Sequence, residues 1–239
     1  MPLVAPTIYR RLRFRSRRLL FLRPRKFQTG RNTRRIESPE VVPTIVFESA
    51  DYVVISKPAG LDSQDSRADR PSVVQWLTEH FGFPGLVHRL DFGTSGLMVC
   101  AKSPKSAADL NSMMLAGEIN RIYLALAMGT GLAREGQFKT PVEDKEALTS
   151  YRVRDQFANA MLIELKLDTG RKHQIRRHLF EAGHPLIGDH LYKKKGSDRL
   201  FKRPALHAYR LILGDKAFET PMPEDMAELL ERLRKSRVL

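Results

Sequence analysis

The segment VHRLDFGTSGLMV, from Val87 to Val99, decides how this chain folds around its most reactive group. It places one carboxylate, that of Asp91, between an arginine and a run of small residues, 93–96, which precedes an apolar strand. Glycine beside threonine and serine favours a tight turn, so the backbone bends sharply where the carboxylate emerges. The sequence therefore predicts a carboxylate that is held in place by the strand behind it.

A second segment, TGRKHQIRRHLFEAGHPLIGDHLY, runs from Thr169 to Tyr192 and concentrates positive charge. Its apolar spacing predicts a helix from about 172 to 181, closed by Gly183 and Pro185. Basic and imidazole side chains crowd the start and the exit of this helix: Arg171, Lys172, His173, Arg176, Arg177, His178 and His184. Together the two segments predict one acid in a basic cleft.

With these motifs the chain resembles the RluA-type family of RNA pseudouridine synthases. The resemblance extends from about residue 44 to the C-terminal helix and rests on blocks in the family's order. These blocks are KPAGL (57–61), HRLDFGTSGL (88–97), RIYLALAMG (121–129), TGRKHQIRRH (169–178) and the weaker RPALHAYRL (203–211).

The order of predicted elements indicates an α+β domain around a mixed sheet. The predicted strands cover about 44–47, 52–55, 121–128, 151–155, 161–167 and 205–213, and the predicted helices about 72–81, 103–115, 172–181 and 223–235. The resemblance implies the same class: a single pseudouridine-synthase-like domain with a largely antiparallel sheet, a central RNA cleft and flanking helices. We expect this catalytic domain to span 41–239, after a basic Arg-rich tail or targeting segment at 1–40.

The resemblance assigns the catalytic roles to three residues. It implies that Asp91 is the catalytic carboxylate, that Arg176 pairs with it, and that Tyr123 packs on the target uracil with a hydroxyl available to accept the C5 proton. Each has a simpler interpretation: a turn acid, a solvated helix arginine and a half-buried sheet tyrosine. On the strand from Arg121, the side chains of Tyr123, Ala125 and Ala127 should point away from the bulky aliphatic face.

The resemblance also implies a binding surface for RNA. Ile175 and Leu206 match apolar positions that enclose the base, although core packing explains them equally well. Arg89 matches an arginine that occupies the space left by a flipped nucleotide, and Arg171 and His173 are expected to bind substrate.

The reaction implied by the family requires no cofactor and no metal. His173, His178, His184, His190 and Asp189 could be interpreted as a metal cluster, but their spacing matches no zinc motif and no cysteine accompanies them. Arginines between them would also repel a cation. The sequence therefore predicts no metal site.

Charge is distributed unevenly along the 239 residues, of which 42% are hydrophobic. The net charge is +14, and twelve positive charges precede the first acid, Glu37, so the remaining chain is nearly neutral. The tail suits a nonspecific RNA-binding arm or a mitochondrial presequence, which places the protein in the cytoplasm or the mitochondrial matrix. No apolar run approaches the roughly 18 residues of a membrane span, so we expect no membrane association.

These observations predict an RNA pseudouridine synthase that isomerises uridine in ribosomal or transfer RNA. Its expected partner is structured RNA, including a ribosome or an assembly intermediate, and we expect a monomer. The alternative is a noncatalytic RNA-binding component of the ribosome or of its assembly that retains the fold.

Overall fold

The computed structural model describes residues 41–64, 70–194 and 200–236. The Arg-rich segment at 1–40 lies outside the described residues, so its two interpretations stay predictions. Within the described ranges, every helix is too short or too polar to cross a lipid bilayer.

The described part of the chain contains ten strands and four helices. In chain order they are β1 Thr44–Glu48, β2 Tyr52–Lys57, α1 Val73–Phe81, β3 Gly85–Leu86, β4 Ser95–Ala101, α2 Pro104–Leu115, β5 Ile119–Met128, β6 Glu135–Phe138, β7 Thr149–Gln156, β8 Ala160–Leu167, α3 Gln174–Glu181, β9 Leu206–Leu213, β10 Lys216–Glu219 and α4 Glu224–Lys235.

All ten strands join one sheet in the order β1-β2-β4-β9-β5-β8-β7-β6, with β3 beside β4 and β10 beside β9. Every pairing is antiparallel except that of β4 with β9, where Ser95 pairs with His207 and Gly96 with Ala208. The predicted α+β class with a mixed, largely antiparallel sheet is confirmed. Its parallel contact brings the loop before β4 next to the start of β9 in the middle of the sheet.

Helices cover both faces of the sheet. One core cluster joins Tyr123 of β5 to Leu77 of α1 and Leu179 of α3, and a second joins Leu126 of β5 to Leu229 of α4. The helix α2 packs through Leu110 on a third cluster, which includes Leu97 and Val99 of β4. The predicted alternation along β5 is confirmed, because Tyr123 and Leu126 belong to clusters on opposite faces.

The start of α3 differs from the predicted start at about residue 172. The helix begins at Gln174, because His173 adopts a left-handed backbone conformation with φ of 56°. The side-chain oxygen of Gln174 accepts hydrogen bonds from the Arg171 amide at 2.9 Å and the Thr169 hydroxyl at 2.8 Å. These contacts fold the preceding residues into a turn that the apolar spacing does not reveal.

Three short strands were not predicted. Strands β6 and β10 lie at exposed positions and lack an alternation of buried and exposed apolar residues, and β3 has two residues only. Their backbones are ordered by hydrogen bonding to a neighbouring strand, which local sequence does not specify.

Candidate active site

The loop that carries Asp91 is fixed from two sides. The amide of Gly60 donates a hydrogen bond of 2.8 Å to the carbonyl of Phe92, which ties the loop to the KPAGL turn. On the other side, a Cβ atom on Gly93 would lie 2.8 Å from Cδ of Pro204, so only glycine allows this close approach. The KPAGL turn and Pro204 therefore support the loop, in addition to the strand β4 that was predicted to hold it.

The side chain of Asp91 faces helix α3 and does not close its own turn. The turn is closed by the backbone, since the Thr94 amide donates to the Asp91 carbonyl at 2.9 Å. The carboxylate Oδ2 accepts a hydrogen bond of 3.1 Å from Nη1 of Arg176, and Oδ1 lies 3.7 Å from Nε2 of His173. The Asp91 side chain is 17% exposed. The Asp91 carboxylate is therefore presented to a cleft. A turn acid would instead use its carboxylate to hydrogen bond within its own turn.

A second carboxylate, that of Asp189, holds Arg176 in position. Nε of Arg176 donates to Oδ2 of Asp189 at 2.7 Å, and Nη2 donates to Oδ1 at 2.9 Å. The Asp189 side chain is fully buried. Burial by itself would raise the pKa of Asp189, but the Arg176 guanidinium and the backbone N–H groups of Tyr192 and Leu191 lower it. The interpretation of Arg176 as a solvated helix arginine is wrong, because this side chain is buried between two carboxylates.

Asp189 has no role in the sequence analysis beyond the rejected metal cluster. The available signal was its position in the GDHLY stretch, in the loop that follows the helix of Arg176. A buried arginine needs a carboxylate partner. The helical pattern alone does not show that Arg176 is buried, so it does not reveal this need for a partner.

Three adjoining cavities meet at Asp91, and all are bordered by Arg89, Asp91 and His173. The small pocket, of about 50 Å³, is also lined by Tyr123, Ile175 and Leu206. The arginine cleft, of about 410 Å³, is also lined by His88, Arg121, Arg171 and Lys172. The phenylalanine cavity, of about 700 Å³, is also lined by Phe92, Arg176, Leu191, Lys202 and Arg203.

The structure brings all eight predicted site residues to this group of cavities. Tyr123 is buried at the wall of the small pocket, and within the described residues its hydroxyl makes no hydrogen bond. Burial raises the pKa of Tyr123, Asp91 adds to this effect and Arg121 opposes it, so the hydroxyl keeps its proton at neutral pH. Ile175 and Leu206 are buried in the core and also line the small pocket, so core packing is confirmed and their contact with a base stays a prediction.

The predicted substrate-binding cations are more exposed. Nη1 of Arg89 donates to the side-chain oxygen of Gln64 at 2.9 Å, and Nε of Arg171 donates to the carbonyl of Glu146 at 3.0 Å. Neither arginine forms an ion pair within the described ranges. Their charge is therefore available to a polyanion entering the cavities.

His173 lies between Asp91 and a tyrosine. Its Nδ1 is 3.2 Å from the hydroxyl of Tyr192. Burial lowers the pKa of His173, Asp91 opposes this effect, and Arg176 and Lys172 add to it. The ring is therefore mostly neutral at physiological pH and can hydrogen bond without adding charge beside Asp91.

The remaining histidines of the supposed metal cluster have other partners. His178 is buried and contacts the Thr149 hydroxyl and the Thr140 carbonyl, both at 2.9 Å. His184 contacts the Met128 carbonyl and His190 the Lys202 carbonyl, both at 3.2 Å. In the part of the chain that the structure describes, no three side chains of the metal-binding types are grouped to hold an ion.

Lys57 of the KPAGL turn is a buried group that the sequence analysis did not single out. Its Nζ donates to the carbonyls of Pro58 at 2.9 Å and Leu61 at 2.8 Å. Burial lowers the pKa of Lys57 to about 7, although Asp91 and Asp62 oppose the effect. The lysine thus crosslinks the turn that supports the Phe92 carbonyl.

We expect the stability of the protein to rise with pH because of Lys57. In the unfolded chain the lysine stays protonated up to about pH 10.4, whereas in the folded chain it loses its proton above about pH 7. The unfolded state then binds more protons, and the free energy of unfolding should rise by about 1 to 2 kcal/mol between about pH 7 and about pH 8.5. Urea denaturation at both pH values measures this change. The Lys57→Met variant should show no such rise, and an equal rise in both proteins would contradict the assignment.

Comparison with known proteins places this site in a family. Residues 51–181 match the family model described as RNA pseudouridylate synthase. A ribosomal large subunit pseudouridine synthase D from Nitrosomonas europaea is 35% identical over 231 residues, covering 82% of this chain and 67% of the relative. Its namesake from Escherichia coli strain K12 is 33% identical over 238 residues, covering 84% of this chain and 73% of the relative.

Solved structures show the same fold. Human RNA pseudouridylate synthase domain containing 4 superimposes with a TM-score of 0.66 at 24% identity, covering 80% of this chain and 92% of that chain. Human RNA pseudouridylate synthase domain containing 1 gives a TM-score of 0.63 at 23% identity, covering 81% and 95%.

The fold and the family match define an isomerase that acts on RNA. The chain belongs to the RNA pseudouridylate synthase family, as the resemblance of its motifs indicated.

Proposed function

We propose that this enzyme isomerises a uridine of large-subunit ribosomal RNA, with Asp91 as the catalytic carboxylate. The observation that carries the proposal is the position of Asp91, where three cavities meet and Arg176 and His173 face the carboxylate. The choice of RNA is supported by the names of the curated relatives, which are ribosomal large subunit pseudouridine synthases.

Pseudouridine formation breaks the bond from uracil N1 to the sugar C1′ and forms a bond from C5 to C1′. The C5 proton leaves and N1 gains a proton, so no electrons are exchanged with another molecule. One ionised carboxylate suffices, whether it attacks the sugar or removes a sugar proton. The Arg176 guanidinium, 3.1 Å from Asp91, compensates the carboxylate's charge, and such charge-assisted hydrogen bonds also fix orientation.

The small pocket is suited to the uracil ring. Tyr123 offers a flat face, and Ile175 and Leu206 complete an apolar wall. The target base must leave its stack to enter, and Arg89, which borders all three cavities, is the side chain that we propose replaces it. Since the Tyr123 hydroxyl keeps its own proton at neutral pH, it can accept the C5 proton only by passing its proton onward, and Asp91 is the nearby acceptor that we propose.

Replacing Tyr123 by phenylalanine tests this role. The ring and its packing remain, so RNA affinity and stability should change little, while kcat should fall by about 10²- to 10⁴-fold because proton transfer at C5 is slowed. Single-turnover kinetics with RNA carrying deuterium at C5 should show a larger isotope effect in the variant. An unchanged kcat in Tyr123→Phe would show that the hydroxyl takes no part in proton transfer and that Tyr123 contributes only its ring.

The proposed substrate is tested by mapping pseudouridine across total RNA with and without the gene. Loss of one or more sites confined to large-subunit ribosomal RNA is expected, and purified enzyme should restore them on the unmodified transcript. If the lost pseudouridine sites were confined to transfer RNA, transfer RNA would be the substrate in place of large-subunit ribosomal RNA. An unchanged map, with RNA binding retained, would favour the noncatalytic ribosome or assembly component.

A further inference from the structure

The phenylalanine cavity lies beside Asp91 and has a chemical character of its own. Phe92, the residue directly after Asp91, is 44% exposed, and Leu191, which also lines the cavity, is 63% exposed. Exposed apolar surface that lines a groove with polar rims is typical of a ligand-binding site. The Phe92 carbonyl is fixed by the Gly60 amide at 2.8 Å, so the ring is carried by a backbone that is already held in place.

Positive charge surrounds this apolar surface. Arg176 and Arg203 are engaged by the carboxylates of Asp189 and Asp225. Arg89 and Lys202 also line the cavity, and within the described ranges neither forms an ion pair. Besides Asp225, the acids at the wall are Asp62 and the reacting group Asp91. An exposed aromatic ring next to two uncompensated cations suits a ligand with a flat face and a phosphate.

The Phe92 ring accepts flat, delocalised groups. The guanidinium carbon of Arg70 lies 5.1 Å from the ring centroid, which is a cation–π arrangement. A nucleobase makes the same kind of face contact with a larger area. The cavity volume of about 700 Å³ falls within the range of about 300–1,000 Å³ that is typical of pockets for organic ligands.

The position of the cavity identifies which nucleotide would occupy it. Arg89, Asp91 and His173 border both the phenylalanine cavity and the small pocket, so the two spaces adjoin at the reacting group. A uridine placed in the small pocket has its chain neighbours at the adjoining cavities. Flipping the uridine also unstacks those neighbours, and an aromatic side chain can replace the lost stacking.

We propose that the phenylalanine cavity binds the nucleotide adjacent to the target uridine, with its base stacked on Phe92 and its phosphate facing Lys202 and Arg89. The inference rests on the proposed function. It makes Phe92 a determinant of substrate recognition, because the enzyme then requires an unpaired nucleotide next to the uridine that it modifies.

The test combines variants of Phe92 with abasic substrates. Phe92→Ala and Phe92→Leu should each raise KM for a short RNA around the mapped uridine by about ten- to hundredfold, with kcat little changed, because leucine is apolar but cannot stack. Phe92→Trp should restore KM. In the wild type, removing the base of one neighbouring nucleotide should raise KM equally, and in Phe92→Ala the same abasic RNA should cause no further loss.

The control is Val46→Ala, which shortens an exposed apolar side chain of strand β1, outside the three cavities; it should leave KM unchanged, and thermal melting should show all variants folded. The proposal would be overturned if the abasic RNA raised the KM of Phe92→Ala by as much as it raises the KM of the wild type. An unchanged KM in Phe92→Ala would overturn it as well. Binding of a labelled single-stranded oligouridylate by the same variants is measured without turnover. If the enzyme modifies no RNA but Phe92→Ala still weakens oligouridylate binding, the proposed function fails while the stacking role of Phe92 stands.

Discussion

Replacing Asp91 by asparagine is expected to reduce the rate of isomerisation by about 10⁴-fold or more, because an amide can neither attack the sugar nor take its proton. RNA affinity should stay within about tenfold of the wild type, since the cations around the three cavities are unchanged. Tritium release from RNA labelled at uridine C5 measures turnover, and filter binding measures affinity.

The matched control for this substitution is Asp168→Asn. Asp168 directly follows strand β8, and its carboxylate accepts a hydrogen bond of 3.0 Å from the Ser150 hydroxyl. Unlike Asp91, it lies outside the three cavities. This variant should keep wild-type turnover. Measurable turnover by Asp91→Asn at a rate near that of the control would remove Asp91 from the catalytic step.

Replacing Arg176 by methionine is expected to damage both stability and catalysis. The fully buried carboxylate of Asp189 would lose a bidentate partner at 2.7 and 2.9 Å, and breaking such a buried pair costs about 3–5 kcal/mol. The Asp91 carboxylate would lose its hydrogen bond of 3.1 Å, and kcat should fall by about 10²- to 10³-fold, as when one charge-stabilising donor is removed from an active site. Urea denaturation and single-turnover tritium release measure the two effects.

A second substitution separates the two roles of Arg176. In Arg176→Met/Asp189→Asn the buried negative charge is gone, so most of the lost stability should return. Catalysis should not return, because the partner of Asp91 is still missing. Recovery of turnover in the double variant would show that Arg176 serves only to neutralise Asp189 and contributes nothing directly at Asp91.

The pairing of Asp189 with Arg176 also explains how one arginine can orient a catalytic carboxylate from a helix. A guanidinium with three donors engaged by two carboxylates has little rotational freedom. The backbone amides of Leu191 and Tyr192 fix Asp189 in turn, at 2.9 and 3.0 Å. The residue that positions the site thus lies in the loop after α3, and its effect reaches Asp91 only through Arg176.

Local sequence patterns determined the reactive group and the class of fold. A carboxylate set among Gly, Thr and Ser ahead of an apolar strand specified a turn, because those residue types restrict the backbone within a few positions. The alternation along β5 specified which side of the strand carries Tyr123, because side chains of a strand alternate with a period of two. The motif blocks likewise identified all eight residues that the structure brings to the cavities.

Only the tertiary structure decided which residues support that site. The burial of Lys57 and Asp189 and the exposure of Phe92 depend on how distant segments pack against each other. The left-handed backbone of His173 accompanies side-chain hydrogen bonds of Gln174 that the helical pattern does not reveal. The parallel pairing of β4 with β9 joins residues 95–96 to 207–208 and brings Pro204 against the Asp91 loop. Sequence patterns report the conformational preferences of neighbouring residues, whereas burial, ion pairing and cavity shape depend on which segments meet, and no local preference encodes that meeting.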